Sequence, residues 1–374
     1  MPRAIALLLA CGFVFTLTSR TAAQDDDPTV RGKKLSEWLK ILHDAPQPKQ
    51  RQVALLVVTE LAGPKNRTVE LALVKELAAN SDADVRAKCA TQLVKKFKES
   101  ADKLVEPLAG ALKDDKDGKV RAACAEALGK LEAKGFPAIP ALTDGLKDTS
   151  AAARAACAET LANFSAIDAE IAKGAVSALT TCLKDADTAV RINAAHALGR
   201  IGAAASDAVS ALAETLTGDK ETAVRKEAAK TLAAIGFKAN AAVPALVKAL
   251  TDGQVEIRQQ AAVTIGKLGP DAAGALPGLL KAAFTDRDKS VRCHAIHAIG
   301  SFGKAGLTAI PELVKIVRDE EIPEVKLAAI DELANFGPDA AAAEDALKIA
   351  AKDGRPAIRE AAAEALKKIQ KSPQ

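Results

Sequence analysis

The chain of 374 residues has no tyrosine, one tryptophan, one methionine and nine phenylalanines, so aromatics make up only 3 % of it. A core built on large rings is therefore excluded. Its apolar share is nonetheless 49 %, too high for a wholly disordered chain. Alanine and leucine must fill the interior, which calls for closely packed helices. Charge of one sign is scarce as well. Fifty-two lysines and arginines face 48 aspartates and glutamates, a net of +4. That lacks the basic excess of a general nucleic-acid binder. No cysteine pair has the CxxC spacing of a zinc or redox site. HExxH, a Gly-rich phosphate loop and a Ser-His-Asp set are also missing.

Long apolar runs are few. The first, Ile5–Leu17, follows Arg3 and is too short to cross a bilayer as a helix. Thr21-Ala22-Ala23 then supplies small residues, the order of a secretory signal cleaved after Ala23. A rival reading takes Leu8-Leu9-Ala10-Cys11 as a lipobox with Cys11 lipidated. The expectation is an exported protein, secreted or periplasmic, with residues 1–23 as signal, 24–32 as a disordered segment around Asp25-Asp26-Asp27, and no transmembrane segment. Export would permit disulfides, but the five remaining cysteines are odd in number.

What the sequence has is a repeat. The phrase V-R-x-x-A-A-x-A-L-G recurs with its basic position at Arg86, Arg121, Arg154, Arg191, Arg225, Arg258, Arg292, Lys326 and Arg359, in steps of 33 to 37 residues. A weaker copy precedes them, with Ala54 set at that position. Ten units at a period near 34 predict a solenoid over 33–371. Each unit carries two helices, such as Ala175–Leu183 and Ala189–Ile201, with a polar turn of capping aspartates between. The second helix has an apolar stripe (Val190, Ala194, Ala195, Leu198 and Ile201), and its Ala-Ala pair lets backbones approach. Cys89, Cys124 and Cys157 occupy the first alanine slot and read as small buried residues. Gly202, Gly236, Gly269, Gly303 and Gly337 are placed for left-handed helix caps. Pro107, Pro140, Pro244, Pro277 and Pro311 fit first helical turns.

From Arg121 onward each basic residue has an acidic companion six positions earlier, eight pairs that include Asp185/Arg191, Asp219/Arg225, Asp252/Arg258 and Asp286/Arg292. One pair per unit predicts a structural ladder that ties each unit to the next and satisfies backbone N–H groups at helix starts.

The copy Pro244–Gly269 carries the resemblance. With P-x-L, D-x-x-x-x-I-R and A-A in register, it resembles the HEAT-repeat family, especially short bacterial HEAT-like repeats, and the likeness extends over roughly Leu35–Gln370. It implies an all-α, right-handed α-α superhelix (a HEAT/armadillo-like solenoid), with Pro244, Asp252, Ile257 and Arg258 in structural roles. The copy at Arg154 departs from the pattern: Ala153 replaces valine and Asn163-Phe164-Ser165 replaces the glycine turn, which predicts a local change of curvature near 160–175. Trp38 is expected to close the first unit.

Some families with this repeat are enzymes. Deoxyhypusine hydroxylase-like proteins hold irons with His-Glu dipeptides, and this chain has none. Cys293, His294 and His297 form the one cluster of metal-ligand types, with His294 and His297 as weak candidates three residues apart on one helix. No cofactor is expected. The better candidate is a surface. Second helices of a solenoid line its concave side, and their positions two, five and nine residues after the arginine vary. Asn193, His196, Arg200, Lys230, Gln260, Lys267, His294 and His297 are the partner-binding candidates. The sequence therefore predicts a non-catalytic, monomeric scaffold that binds a protein or extended polymer and no nucleic acid. The alternative is a metal- or cofactor-dependent enzyme or sensor.

Overall fold

The computed structural model describes residues 27–61, 63 and 65–370. They belong to two compact units, divided along the chain between residues 61 and 62.

In the first unit, Thr29–Val30 and Lys33–Lys34 pair antiparallel, Thr29 with Lys34 and Val30 with Lys33. Arg31 and Gly32 both have positive φ (49° and 77°), as a two-residue hairpin turn of the primed kind requires. Ser36 donates from its backbone N–H and its hydroxyl to the Asp27 carboxylate, both at 2.7 Å. Trp38 donates from Nε1 to the Val30 carbonyl at 3.0 Å. These contacts correct the expectation of disorder for residues 27–32; residues 24–26 lie outside the described part. The hairpin leads into helices Leu35–Asp44 and Pro48–Leu61. Within them, Arg51 donates from Nη1 to the Ala45 carbonyl, six residues earlier, at 2.5 Å. Arg86, Arg121, Arg154, Arg191, Arg225, Arg258 and Arg359 make the same bond to the carbonyl six residues earlier. The basic position of the first copy is therefore Arg51, and the register set on Ala54 is corrected by three residues. Ala54 is the buried small residue of the alanine slot.

Among its described residues the second unit is a succession of nine helix pairs. They are Arg67–Ala79 with Ala83–Lys96, Ala101–Asp114 with Gly118–Gly129, Ile139–Gly145 with Ala151–Ile167, Val176–Cys182 with Thr188–Ile201, Val209–Gly218 with Thr222–Ile235, Val243–Ala249 with Val255–Leu268, Leu276–Thr285 with Lys289–Gly300, Ile310–Asp319 with Pro323–Phe336, and Glu344–Ala350 with Pro356–Ile369. The expected stripe is the core: Val190, Ala194, Ala195 and Leu198 are fully buried, as are Val224, Ala228, Ala229 and Leu232. The architecture is the all-α, right-handed solenoid expected from the repeat. Thr222–Ala249 has the length and apolarity of a membrane span, yet it is two helices broken at Gly236 that send Leu232 and Leu246 into the core.

The cap glycines have positive φ of 56° to 72°, but ψ at Gly202, Gly236, Gly269 and Gly337 lies between −134° and −148°. This is not the left-handed helical cap expected from the sequence. It is an extended mirror-image conformation essentially confined to glycine, and it turns the chain into a seven-residue 3-10 segment before the next helix. Pro140, Pro244, Pro277 and Pro311 enter first turns. Pro107 does not; it sits inside the unbroken helix Ala101–Asp114. The glycine of the L-G dipeptide has a separate cause. A Cβ on Gly199 would lie 3.1 Å from Thr231 Oγ1, and one on Gly266 would lie 3.2 Å from Ala298 Cα, each in the following repeat. In the divergent copy, helix Ala151–Ile167 runs through the position of the glycine turn, and Phe164 packs edge-on against Phe136 with centroids 5.3 Å apart.

The ladder joins repeats by a rule that differs from the one the spacing suggested. Arg86, Arg121, Arg154, Arg191, Arg225 and Arg258 each grip the carboxylate of the following repeat through Nε and Nη2. The acceptors are Asp115, Asp148, Asp185, Asp219, Asp252 and Asp286, at 2.6 to 3.1 Å. To its own companion six residues earlier, each arginine gives only Nη1, on the backbone carbonyl, at 2.7 to 3.0 Å. The carboxylate also accepts the N–H two residues on, as Asp185 does from Asp187 and Asp219 from Glu221, both at 2.9 Å. One planar guanidinium thus ties three segments of backbone and two repeats. A second, buried ladder runs beside it. Thr160, Thr231 and Thr264 donate to the carbonyls of Ala125, Ala195 and Ala229 in the preceding second helix, at 2.8 to 3.0 Å.

The Arg191 and Asp219 side chains are only 6 % and 8 % exposed. Removing one partner of such a pair strands the other, at a cost of about 3–5 kcal/mol. Arg191→Met is expected to lower the urea midpoint of unfolding by that amount. Arg359→Met should cost far less, because Arg359 grips only the carbonyls of Asp353 and Gly354. The ladder also sets an acid limit. Burial opposes ionisation of Asp219, but the Arg191 guanidinium and the Glu221 N–H outweigh it and hold its carboxyl below the usual range; Arg154 does the same for Asp185. A depressed folded-state pKa gives stability that is complete above the unfolded value near 3.9 and is lost as pH falls through the folded one. Urea midpoints should accordingly be level from pH 5 to 7 and decline from about pH 4 downward, less steeply in Arg191→Met.

Candidate functional site

The variable strip lies on the second helices, and its polar groups divide into two clusters that each bridge adjacent repeats. In the first, His196 Nδ1 is 3.1 Å from Glu227 Oε1 in the next repeat. Lys230 Nζ is 3.2 Å from Glu227 Oε2, and Arg200 Nε lies 3.4 Å from His196 Nε2. Glu227 therefore collects a histidine and a lysine while Lys230 and Arg200 stay exposed. Asn193, half-buried beside this cluster, donates to the Ala155 carbonyl at 3.0 Å. Gln260 reaches Thr264 Oγ1 at 3.4 Å within its own helix, and Lys267 is exposed.

The second cluster surrounds His297. Its Nδ1 is 2.8 Å from Glu332 Oε1, and Asn335 donates to Glu332 Oε2 at 3.3 Å. The Glu332 hydrogen bond outweighs partial burial and raises the imidazole pKa. His294 instead directs Nδ1 to the Ser290 carbonyl at 2.6 Å. The two histidines thus serve different partners, and among the described residues no group of three or more His, Cys, Asp or Glu is placed to hold a metal. Glu332 occupies the position six residues after the basic one, where Thr160, Thr231 and Thr264 stand in their repeats. Aligning that column would have singled it out. A Cβ on Gly300 would lie within bonding reach of its carboxylate, so the glycine there makes room for it.

Each unit also carries an open groove. One, of about 740 Å³, runs over the second helices and is lined by Ala87, Ala122 and Ala123, with the Lys119–Asp84 ion pair at 2.6 Å. Another, of about 850 Å³ in the first unit, is lined by Trp38, Ile41 and Val53. Trp38 is otherwise buried.

The sequence profile described as HEAT repeats matches residues 35–129, 70–162, 139–222, 209–277 and 276–367. The chain belongs to the HEAT-repeat family. No curated protein matches it. Among solved structures, importin beta is similar to this HEAT-repeat chain, with TM-score 0.58 and 14 % identity over 90 % of this chain and 51 % of that one. Kap95p, solved with RanGDP in work on nuclear import complex assembly, gives 0.58 and 13 % over 90 % and 50 %. A multiply substituted Kap121p gives 0.56 and 15 % over 93 % and 42 %. The chain spans about half the length of the first two and less of the third, and the likeness is one of fold. It corrects the expectation of a secreted or periplasmic protein: importin beta and the karyopherins are transport factors of nucleus and cytoplasm, not exported proteins. The bacterial, exported subtype of the repeat is likewise not what these relatives share. Arg3, Cys11 and Ala23, on which that expectation rested, lie outside the described residues.

The five cysteines among the described residues are free. Cys89, Cys124 and Cys157 are fully buried in their alanine slots, and burial pushes the thiols of Cys124 and Cys157 up to about 12. Cys293 is half-buried. A thiol reagent read out by mass spectrometry should label Cys293 in the native protein, and Cys89, Cys124 and Cys157 only on unfolding. Labelling of Cys124 ahead of Cys293 would contradict the slot assignment.

Proposed function

We propose that the chain is a non-catalytic protein-interaction scaffold that recognises a partner protein by multivalent contact along the second-helix strip, on the concave side of the solenoid. The observation that carries this reading is the division of labour between positions. The arginine forks and alanine pairs repeat and are buried, whereas Asn193, His196, Arg200, Lys230, Gln260, Lys267, His294 and His297 vary from repeat to repeat at accessible or half-accessible positions. A constant frame holds the repeats in register, and the varied side chains give the strip a readable chemistry.

The cross-repeat clusters support it further. Glu227 holds His196 and Lys230 in a fixed arrangement, so part of the ordering cost of binding is met before a partner arrives. Kap95p, which has this fold, binds RanGDP; recognition by a surface without bond chemistry is the property we carry to this chain.

The test is comparative capture by the immobilised full chain, quantified by mass spectrometry. Arg200→Glu with Lys230→Glu should reduce recovery of specific partners at least fivefold. Lys248→Glu, a reversal at an exposed position on a first helix, should leave it unchanged. Equal recovery by all three proteins would place binding elsewhere than the strip.

A further inference from the structure

The arginine ladder fails at one joint, between the last two helix pairs. There Lys326 stands in the arginine's place, and Asp353 stands where the gripped carboxylate should be. A lysine has one compact ammonium and cannot make the bidentate fork. Asp353 is also already occupied. Arg355, two residues on, donates to it from its backbone N–H at 2.9 Å and from Nε and Nη2 at 2.8 Å each. Arg355 then uses Nη1 to reach the Glu321 carbonyl of the preceding repeat at 2.9 Å. The bypass keeps the two repeats joined and leaves Lys326 with no direct bond to Asp353, only its charge at a distance.

Lys326 is only 8 % exposed and has no ion-pair or hydrogen-bond partner among the described residues. Its stem is covered while its ammonium reaches a cavity, where it feels the Asp353 charge without a direct contact. The wall of this cavity, of about 380 Å³, also carries Arg318, Lys352 and Lys348, with Val317 and Ile349 beside them. Arg318 and Lys352 are exposed and likewise unpaired. Lys348 is engaged by Glu344 at 2.9 Å and Asp345 at 3.7 Å. The one carboxylate lining the cavity, Asp353, is neutralised by its arginine.

We propose that this cavity is an oxyanion site of the phosphate class, with Lys326 presenting its ammonium from the cavity wall and Arg318 and Lys352 closing over the charge from the rim. The anion supplies the counter-charge that the ladder carboxylate supplies at the other joints. This site is separate from the second-helix strip and does not rest on the scaffold reading.

The experiment follows amide spectra of the full chain during titration with inorganic phosphate, against sodium chloride at matched ionic strength. Saturable shifts confined to residues 317–326 and 346–355 are expected with phosphate and not with chloride. Lys326→Met should weaken binding at least tenfold. Because that change alters a buried site, a second variant carries the decision. Lys326→Arg with Arg355→Ser rebuilds the regular fork to Asp353, so it should retain or gain thermal stability while losing the phosphate response. A phosphoserine peptide is titrated in parallel: tighter binding than inorganic phosphate assigns the site to a phosphate carried on a partner, and equal or weaker binding assigns it to the free ion. Non-saturable shifts in both titrations, an equal response to chloride, or full phosphate binding by the rebuilt fork would overturn the proposal.

Discussion

A guanidinium that bonds forward to a carboxylate and backward to a carbonyl is the constraint on which the second unit depends. The hydrophobic stripe supplies most of the favourable free energy, but an alanine-rich interface is smooth and sets little register of its own. The fork sets it. From Arg86 to Arg258, Nε and Nη2 meet the next aspartate at hydrogen-bond distance, and Nη1 closes the repeat's own turn. Because these side chains lie near the surface while mostly buried, the geometry is strong without placing an unpaired charge in the core. At Arg292 the pattern bends. The partner is Glu320, one methylene longer, and Nε turns to the Ala283 carbonyl. At Lys326 it gives way to the Arg355 bypass.

Most of the fold was legible because the repeat is written many times. A stripe such as Val224, Ala228, Ala229, Leu232 and Ile235, copied at a fixed period, leaves little choice but stacked helical pairs. What the period could not reveal was which neighbour an arginine reaches. The companion six residues earlier and the aspartate of the following repeat recur with nearly the same period, so counting cannot separate them; the reach of a three-carbon stem does. The same ambiguity moved the first copy onto Ala54, where valine and leucine neighbours imitate the phrase and the true basic residue, Arg51, lacks its usual valine. The glycine caps show a third limit. Positive φ could be inferred from position, but ψ is set by the turn into the 3-10 segment, and no residue type reports that.

The candidate surface was legible in part. Variable columns two, five and nine residues after the arginine led to His196, Arg200, Lys230 and His297, and they do carry the polar side chains of the second helices. Their partners were harder to see. Glu227 and Glu332 meet histidines of the preceding repeat from two different columns, so no fixed spacing announces the pair. Glu332 is hidden further because its slot holds a threonine bonded to backbone in three other repeats and mostly alanine in the rest. A departure in a constant column is a stronger sign of local chemistry than variety in a column that always varies, and Lys326, in a column otherwise of arginine, is such a departure.

The forward-pointing fork also gives the second unit a polarity. Every joint from Arg86 to Arg292 uses a donor from one repeat and an acceptor from the next, so the two sides of a repeat are chemically unlike and joints of this sort cannot mate head to head. None of them requires the chain to close on itself. Length in such a protein is decided by counting: a whole repeat can be gained or lost in its middle and each surviving joint still finds the partner it expects, so the reach of the surface can change over evolutionary time while the frame that supports it stays the same.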